Sequence, residues 1–185
     1  MTAERSGREL IFLVGIAALL GSLILAPTYE TVHEGYGYGL RVTARVTFAF
    51  FLLAYIARPL VRLFGTGRWL VRHRRYLGIM AALSHTVHFG YVLLYFYSVD
   101  EVVDLGTKIL GGLGFVLFWL MALTSNDAAV RTLGAWWKRL HLFGMHYNWL
   151  IFLVTYLASW WALPLALAGG GLRLAAWLKA RKASV

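Results

Sequence analysis

YLGIMAALSHTVHFGYVLLYFYS, residues 76–98, is a run of 23 residues whose only readily titratable side chains at neutral pH are two histidines, His85 and His88. A membrane-spanning helix needs about 20 apolar residues, so the run reads as one span. Ionisable groups in hydrocarbon are costly and mark function by default. A second histidine pair, His141 and His146, opens another uncharged run from Leu140 to Leu172. Imidazole is the usual protein ligand of haem iron. Two His-bearing helices therefore suggest a haem held between transmembrane segments.

Working outward, the rest of the chain has the same character. Sixty per cent of its 185 residues are hydrophobic and 16% are aromatic, against an apolar share of roughly half in soluble domains. The expectation is a single all-α domain over residues 1–185, a polytopic bundle of six spans at about 10–26, 42–64, 76–98, 108–124, 139–161 and 164–180. Pro164 after Trp160-Trp161 breaks the long uncharged run. Leu10–Ala26 follows a charged opening, and Thr28-Tyr29-Glu30 lacks the small residues of a cleavage site, so it reads as a retained first helix. The second span is the weakest, with Arg45, Arg58 and Arg62 snorkelling from its ends.

Charge sets the expected orientation. Residues 58–75 carry six arginines and no acid, which places this turn in the cytoplasm. The loop with Asp100, Glu101 and Asp104 then lies outside, and both termini inside. The net charge of +10 would suggest nucleic acid in a soluble protein; here the cations border apolar runs, so lipid is the partner and nucleic acid is not. The absence of cysteine excludes disulfides, iron–sulfur clusters and covalent c-type haem attachment.

His85 and His88 share one helix face. His88 is thirteen residues beyond Arg75, roughly 20 Å deep, whereas His141 is two residues past Arg139. The two sit at different depths and do not clamp one haem from opposite sides. Two stacked haem positions, or one with an unusual second ligand, fit better. His146 is about 140° around the helix from His141. His33 and His73 read as solvated. Arg74 and Arg75 set topology by default and also suit haem propionates.

Two stretches carry a resemblance. One is Arg74-Arg75-Tyr76-Leu77-Gly78 with His88 ten residues after the glycine. The other is LTSNDAAVRTLGAWWKRLH, Leu123 to His141. On these the chain resembles the ferric-reductase-like transmembrane superfamily, and within it the MsrQ (YedZ) family of haem-binding membrane subunits of periplasmic methionine sulfoxide reductase systems. The resemblance implies a bacterial inner-membrane bundle with haem b between central helices and iron ligands at His88 and His141. His85, His146, Arg74 and Arg75 would be further cofactor-binding candidates. It implies electrons arriving from quinol or a separate flavin reductase, with FMN or a quinone as candidate further cofactors. They would leave to an extracytoplasmic redox partner protein. Such a chain is an electron-transfer subunit of an oxidoreductase system rather than a complete enzyme. The family pattern has another histidine thirteen residues after His141; Val154 and Thr155 stand in that region here. A haem-depleted structural or assembly subunit is the alternative. The chain has no strand–GxGxxG–helix signature, so any NAD(P)H would act through a separate protein.

Overall fold

The computed structural model describes residues 2–183, with side chains from residue 5 onward. The described residues form seven α-helices, α1 (Thr2–Leu25), α2 (Val32–Phe64), α3 (Arg68–Ser98), α4 (Leu105–Leu123), the short α5 (Asp127–Leu133), α6 (Ala135–Thr155) and α7 (Ala162–Lys182), with a 3-10 turn at Ala26–Thr28. Among the described residues there is no strand.

Among the described residues, four helices are long and apolar enough to cross a membrane, spanning Arg5–Thr28, Val32–Phe64, Arg68–Ser98 and Leu105–Leu123. They cover four of the six expected spans. At 21 residues each, α6 and α7 reach about 31 Å, but their composition is more polar. Lys138, Arg139, His141, His146 and Asn148 lie on α6, and Arg173 interrupts α7.

Two helices begin earlier than hydropathy predicts. The expected start of the second span was 42; α2 starts at Val32 because Thr31 caps it. The Thr31 hydroxyl accepts from the Glu34 N–H at 3.2 Å, and the Glu34 carboxylate accepts from the Thr31 N–H at 3.2 Å. This reciprocal capping box satisfies two otherwise orphaned donors. The Gly-rich segment 35–39 is thus helix, not loop. At Gly39 the lack of a side chain is needed, since a Cβ there would fall into the Tyr91 ring. Tyr91 in turn donates from its hydroxyl to the Ser22 carbonyl at 3.1 Å, tying α3 to α1. At the other end of α2, Gly65 and Gly67 take left-handed φ values of 70° and 81°, which ends one helix and starts the next within three residues. Four of the six arginines, Arg68, Arg72, Arg74 and Arg75, therefore lie on α3 itself, and Arg58 and Arg62 on the last turns of α2.

Contacts fix how the helices run. Thr43 meets His88 and Ala54 meets Arg74, so α2 and α3 are antiparallel. Thr124 meets His141 and Gly114 meets Asn148, so α4 and α6 are antiparallel too. Residues 65–67 and α5 thus share a basic end. The loop with Asp100, Glu101 and Asp104 lies at the opposite, acidic end. A layer of Phe48, Phe51, Phe118 and Phe152, with ring centroids 5.1–6.4 Å apart, fills the middle.

Two expectations about histidines need correction. His73, read as solvated, has no exposed surface. Its ring stacks near Trp69 at 4.5 Å, its Nδ1 donates to the Trp69 carbonyl at 2.9 Å, and it fills the space above Gly7 of α1. The early start of α3 carries it into the α1 contact. His33 is half-buried against Tyr95, with centroids 4.5 Å apart.

Candidate functional site

Two cavities lie on either side of the phenylalanine layer, and Phe118 lines both. The one towards the acidic end has a volume of about 400 Å³. From α3 it receives His85 and His88, from α2 Arg41 and Arg45, from α6 Asn148 and Thr155, and from the C-cap of α6 Tyr156. His88 Nδ1 lies 3.2 Å from the Leu40 carbonyl and 3.3 Å from the Thr43 hydroxyl. A carbonyl only accepts, so Nδ1 carries the proton and Nε2 is left as the basic nitrogen. A backbone partner of this kind is the usual means of orienting a ligating imidazole.

The ring of His85 stacks beside His88 with centroids 5.5 Å apart and lies 4.9 Å from Phe118. Its Nδ1 is buried and without a hydrogen-bond partner among the described residues, as is the Tyr156 hydroxyl. Two orphaned polar atoms in residues lining one cavity fit a site completed by a bound group, since unpaired buried donors are costly. Opposite His88, however, α6 offers no imidazole. Val154 is 57% exposed and does not line the cavity, whereas Thr155 does.

The second cavity, about 200 Å³, lies towards the basic end and is lined by His141, Trp137, Arg74 and Arg75 among others. Here the Leu123–His141 motif explains itself. Thr124 ends α4, and Asn126 caps α5 by accepting from the Ala129 N–H at 2.8 Å. Trp137 donates from Nε1 to the Thr124 carbonyl at 2.8 Å and stacks on His141 at 4.0 Å. The Thr124 hydroxyl donates to the Leu120 carbonyl at 2.6 Å, so the His141 Nε2–H donates to that hydroxyl at 3.1 Å. Ligation through Nε2 therefore requires the ring to release Thr124. Arg74 reaches across to the Ala54 carbonyl at 3.0 Å. Arg75 pairs with Asp127, which ties α3 to α5. The Arg75 hydrogen bond holds the Asp127 carboxyl below its ordinary value, with further help from the charges of Arg75 and Arg131.

The structure thus brings His88 and His85 together, and His141 with Arg74 and Arg75. It separates the two groups by about 21 Å along α3, from Arg74 to His88. His146 joins neither group. It lies on the exposed side of α6, its Nδ1 donating to the Leu142 carbonyl at 2.7 Å. Sequence reading missed Trp137 and Thr124 as the residues that hold His141. Trp137 is four residues before it, the spacing of a shared helix face; the Thr124 contact has no local signal. Among the described residues no group of three or more His, Asp or Glu is placed to hold a bare metal ion.

No family model matches the chain, and no solved structure matches it. Among curated proteins it is similar to the heme-binding subunit MsrQ of protein-methionine-sulfoxide reductase from Klebsiella pneumoniae subsp. pneumoniae, 26% identical over 80% of this chain and 83% of that one. The corresponding subunit of Klebsiella pneumoniae strain 342 is 27% identical over 80% and 84%. The chain is thus similar to MsrQ heme-binding subunits over four-fifths of its length.

Proposed function

We propose that this chain is a haem-binding electron-transfer subunit of a bacterial inner-membrane oxidoreductase system. The carrying observation is the placement of His88 and His141 on different helices, in cavities on opposite sides of the phenylalanine layer. On this reading all six long helices span, α6 and α7 included, with both termini and the 65–67 turn cytoplasmic. Six arginines without an acid at one end, against Asp100, Glu101 and Asp104 at the other, support that orientation. A signal only from outside for a reporter fused after Val185 would overturn it.

Haem b, when bound, supplies one-electron redox chemistry that no side chain here provides. The chain's own residues hold it and keep it dry. His88 offers a basic Nε2 with its tautomer set by Leu40. His141 offers an imidazole gated by Thr124. Arg74 and Arg75 supply cations to carboxylates at the basic end, and His85 is the nearby candidate for a second nitrogen at the acidic end. One or two haems are consistent with this arrangement. Electrons enter at the basic end from quinol or a separate flavin reductase, with FMN or a quinone as the mediator. They leave to an extracytoplasmic redox protein.

The test is the visible spectrum of the purified protein after haem-replete expression, oxidised and dithionite-reduced. A non-covalent b-type spectrum is expected, altered in both His88→Ala and His141→Ala. Absence of a Soret band would instead favour a haem-depleted structural or assembly subunit. The observation on that side is Val154 and Thr155 where the family pattern has a histidine.

A further inference from the structure

A third cavity, about 630 Å³, lies between α2, α6 and α7, away from His88 and His141. Three arginines line it: Arg58 and Arg62 one turn apart on α2, and Arg173 on α7. The Arg173 guanidinium lies over the Tyr55 ring, 4.3 Å from its centroid, and its Nη1 is buried with no acceptor among the described residues. No carboxylate lines the cavity. The ion pairs among the described residues, Arg5–Glu9 and Arg75–Asp127, are elsewhere.

Topology alone accounts for arginines at a helix border. It does not account for Arg173, which lies six residues, about 9 Å, deeper than Lys179. Converging cations at this depth are expensive unless an anion joins them. Two features show where that anion comes from. Leu142, Leu167 and Leu174 line the same cavity and are themselves exposed on the outside of the bundle. Gly171 leaves open space beside α7, with nothing within 4 Å of where its Cβ would lie. The cavity is therefore cationic within and apolar at its lips, the shape of an amphiphile.

We propose that this cavity binds the phosphate of an anionic glycerophospholipid, Arg173 and Arg58 holding the phosphate and an acyl chain lying along Leu167 and Leu174. A zwitterionic headgroup would bring an ammonium for which the cavity has no carboxylate. A soluble phosphate ester shares the phosphate chemistry but leaves the leucine lips without a partner.

The experiment is native mass spectrometry of the full chain in neutral detergent, titrated with phosphatidylglycerol or phosphatidylcholine. Phosphatidylglycerol should bind tighter, by about fivefold for each arginine engaged. Arg173→Gln should lose about fivefold of that preference, and Arg58→Gln/Arg62→Gln more, with helicity by circular dichroism unchanged. Arg131→Gln on α5 should keep it. Equal affinity for the two lipids, or an unchanged preference in folded Arg173→Gln, overturns the proposal. Displacement of bound phosphatidylglycerol by excess inorganic phosphate or flavin mononucleotide overturns the lipid as the source. Should the variants fail to fold, quenching of wild-type tryptophan fluorescence by brominated phosphatidylglycerol decides. Trp149 and Trp177 line the cavity, and quenching no stronger than that by brominated phosphatidylcholine also overturns it.

Discussion

The two histidine cavities differ in what holds the imidazole. At the acidic end His88 is oriented chiefly by a main-chain carbonyl of α2, at Leu40. At the basic end His141 is oriented by a hydroxyl, at Thr124, and by a stacked indole. A backbone holder cannot be removed by substitution, whereas a side-chain holder can. The first cavity also has orphaned polar atoms, while the second has cations already tied to partners across the bundle. One imidazole is thus preset by the backbone beside orphaned polar atoms, and the other is held by side chains and gated by Thr124.

The sharpest way to break that contrast is carbon monoxide. If the acidic-end haem position lacks a strong second ligand, carbon monoxide should perturb part of the reduced spectrum of the wild type. The response should survive in His141→Ala and disappear in His88→Ala. A reduced spectrum insensitive to carbon monoxide throughout would make both positions equally filled.

Next in size is the scaffold under the preset site. Gly39→Val drives a branched side chain into the Tyr91 ring, which holds α3 against α1. Overpacking of this kind costs about 1–3 kcal/mol, so a clear fall in thermal midpoint in detergent is expected. An unchanged midpoint would mean that the α2–α3 contact beside His88 is loose, contrary to a preset site.

A smaller effect sharpens the gated site. Thr124→Val removes the acceptor of the His141 Nε2–H, a hydrogen bond worth about 1 kcal/mol net. The His141-dependent absorbance should shift and the His88-dependent absorbance should not. A shift in both would show that the phenylalanine layer does not insulate the cavities.

The smallest expected effect is at the rim of the gated site, in the Arg75–Asp127 pair. The folded carboxyl lies below its ordinary 3.8. Its pairing with Arg75 is therefore fully present above that value and is lost as pH falls through the folded value. Amide exchange in α5 should be flat from neutral pH to about 4, after correction for its intrinsic pH dependence, and quicken only below. Asp127→Asn should flatten that acid response. The same acid step in the variant would assign it to another group.

Much of the frame was legible along the chain because periodicity and charge act locally. A run without charges must be buried in lipid or protein, so residues 76–98 declared a helix by length alone. The Arg58–Arg75 and Asp100–Asp104 segments likewise declared opposite ends. The early start of α2 was legible too, in Thr31 and Glu34 at capping-box spacing, but hydropathy hid it behind the glycines. Polar α6 and α7 were harder, since hydropathy falls where functional residues cluster.

Local pattern along the chain therefore sufficed for an all-helical protein with apolar spans, a basic and an acidic end, and histidines at two depths. The packing of the helices was needed to bury His73, to set Leu40 and Thr124 against the two imidazoles, and to bring Arg173 into one cavity with Arg58 and Arg62. The physical reason is range. Helix formation and charge asymmetry depend on neighbours three or four residues away, whereas these contacts join residues 17 to 115 positions apart. Their pairing is settled by how whole helices pack.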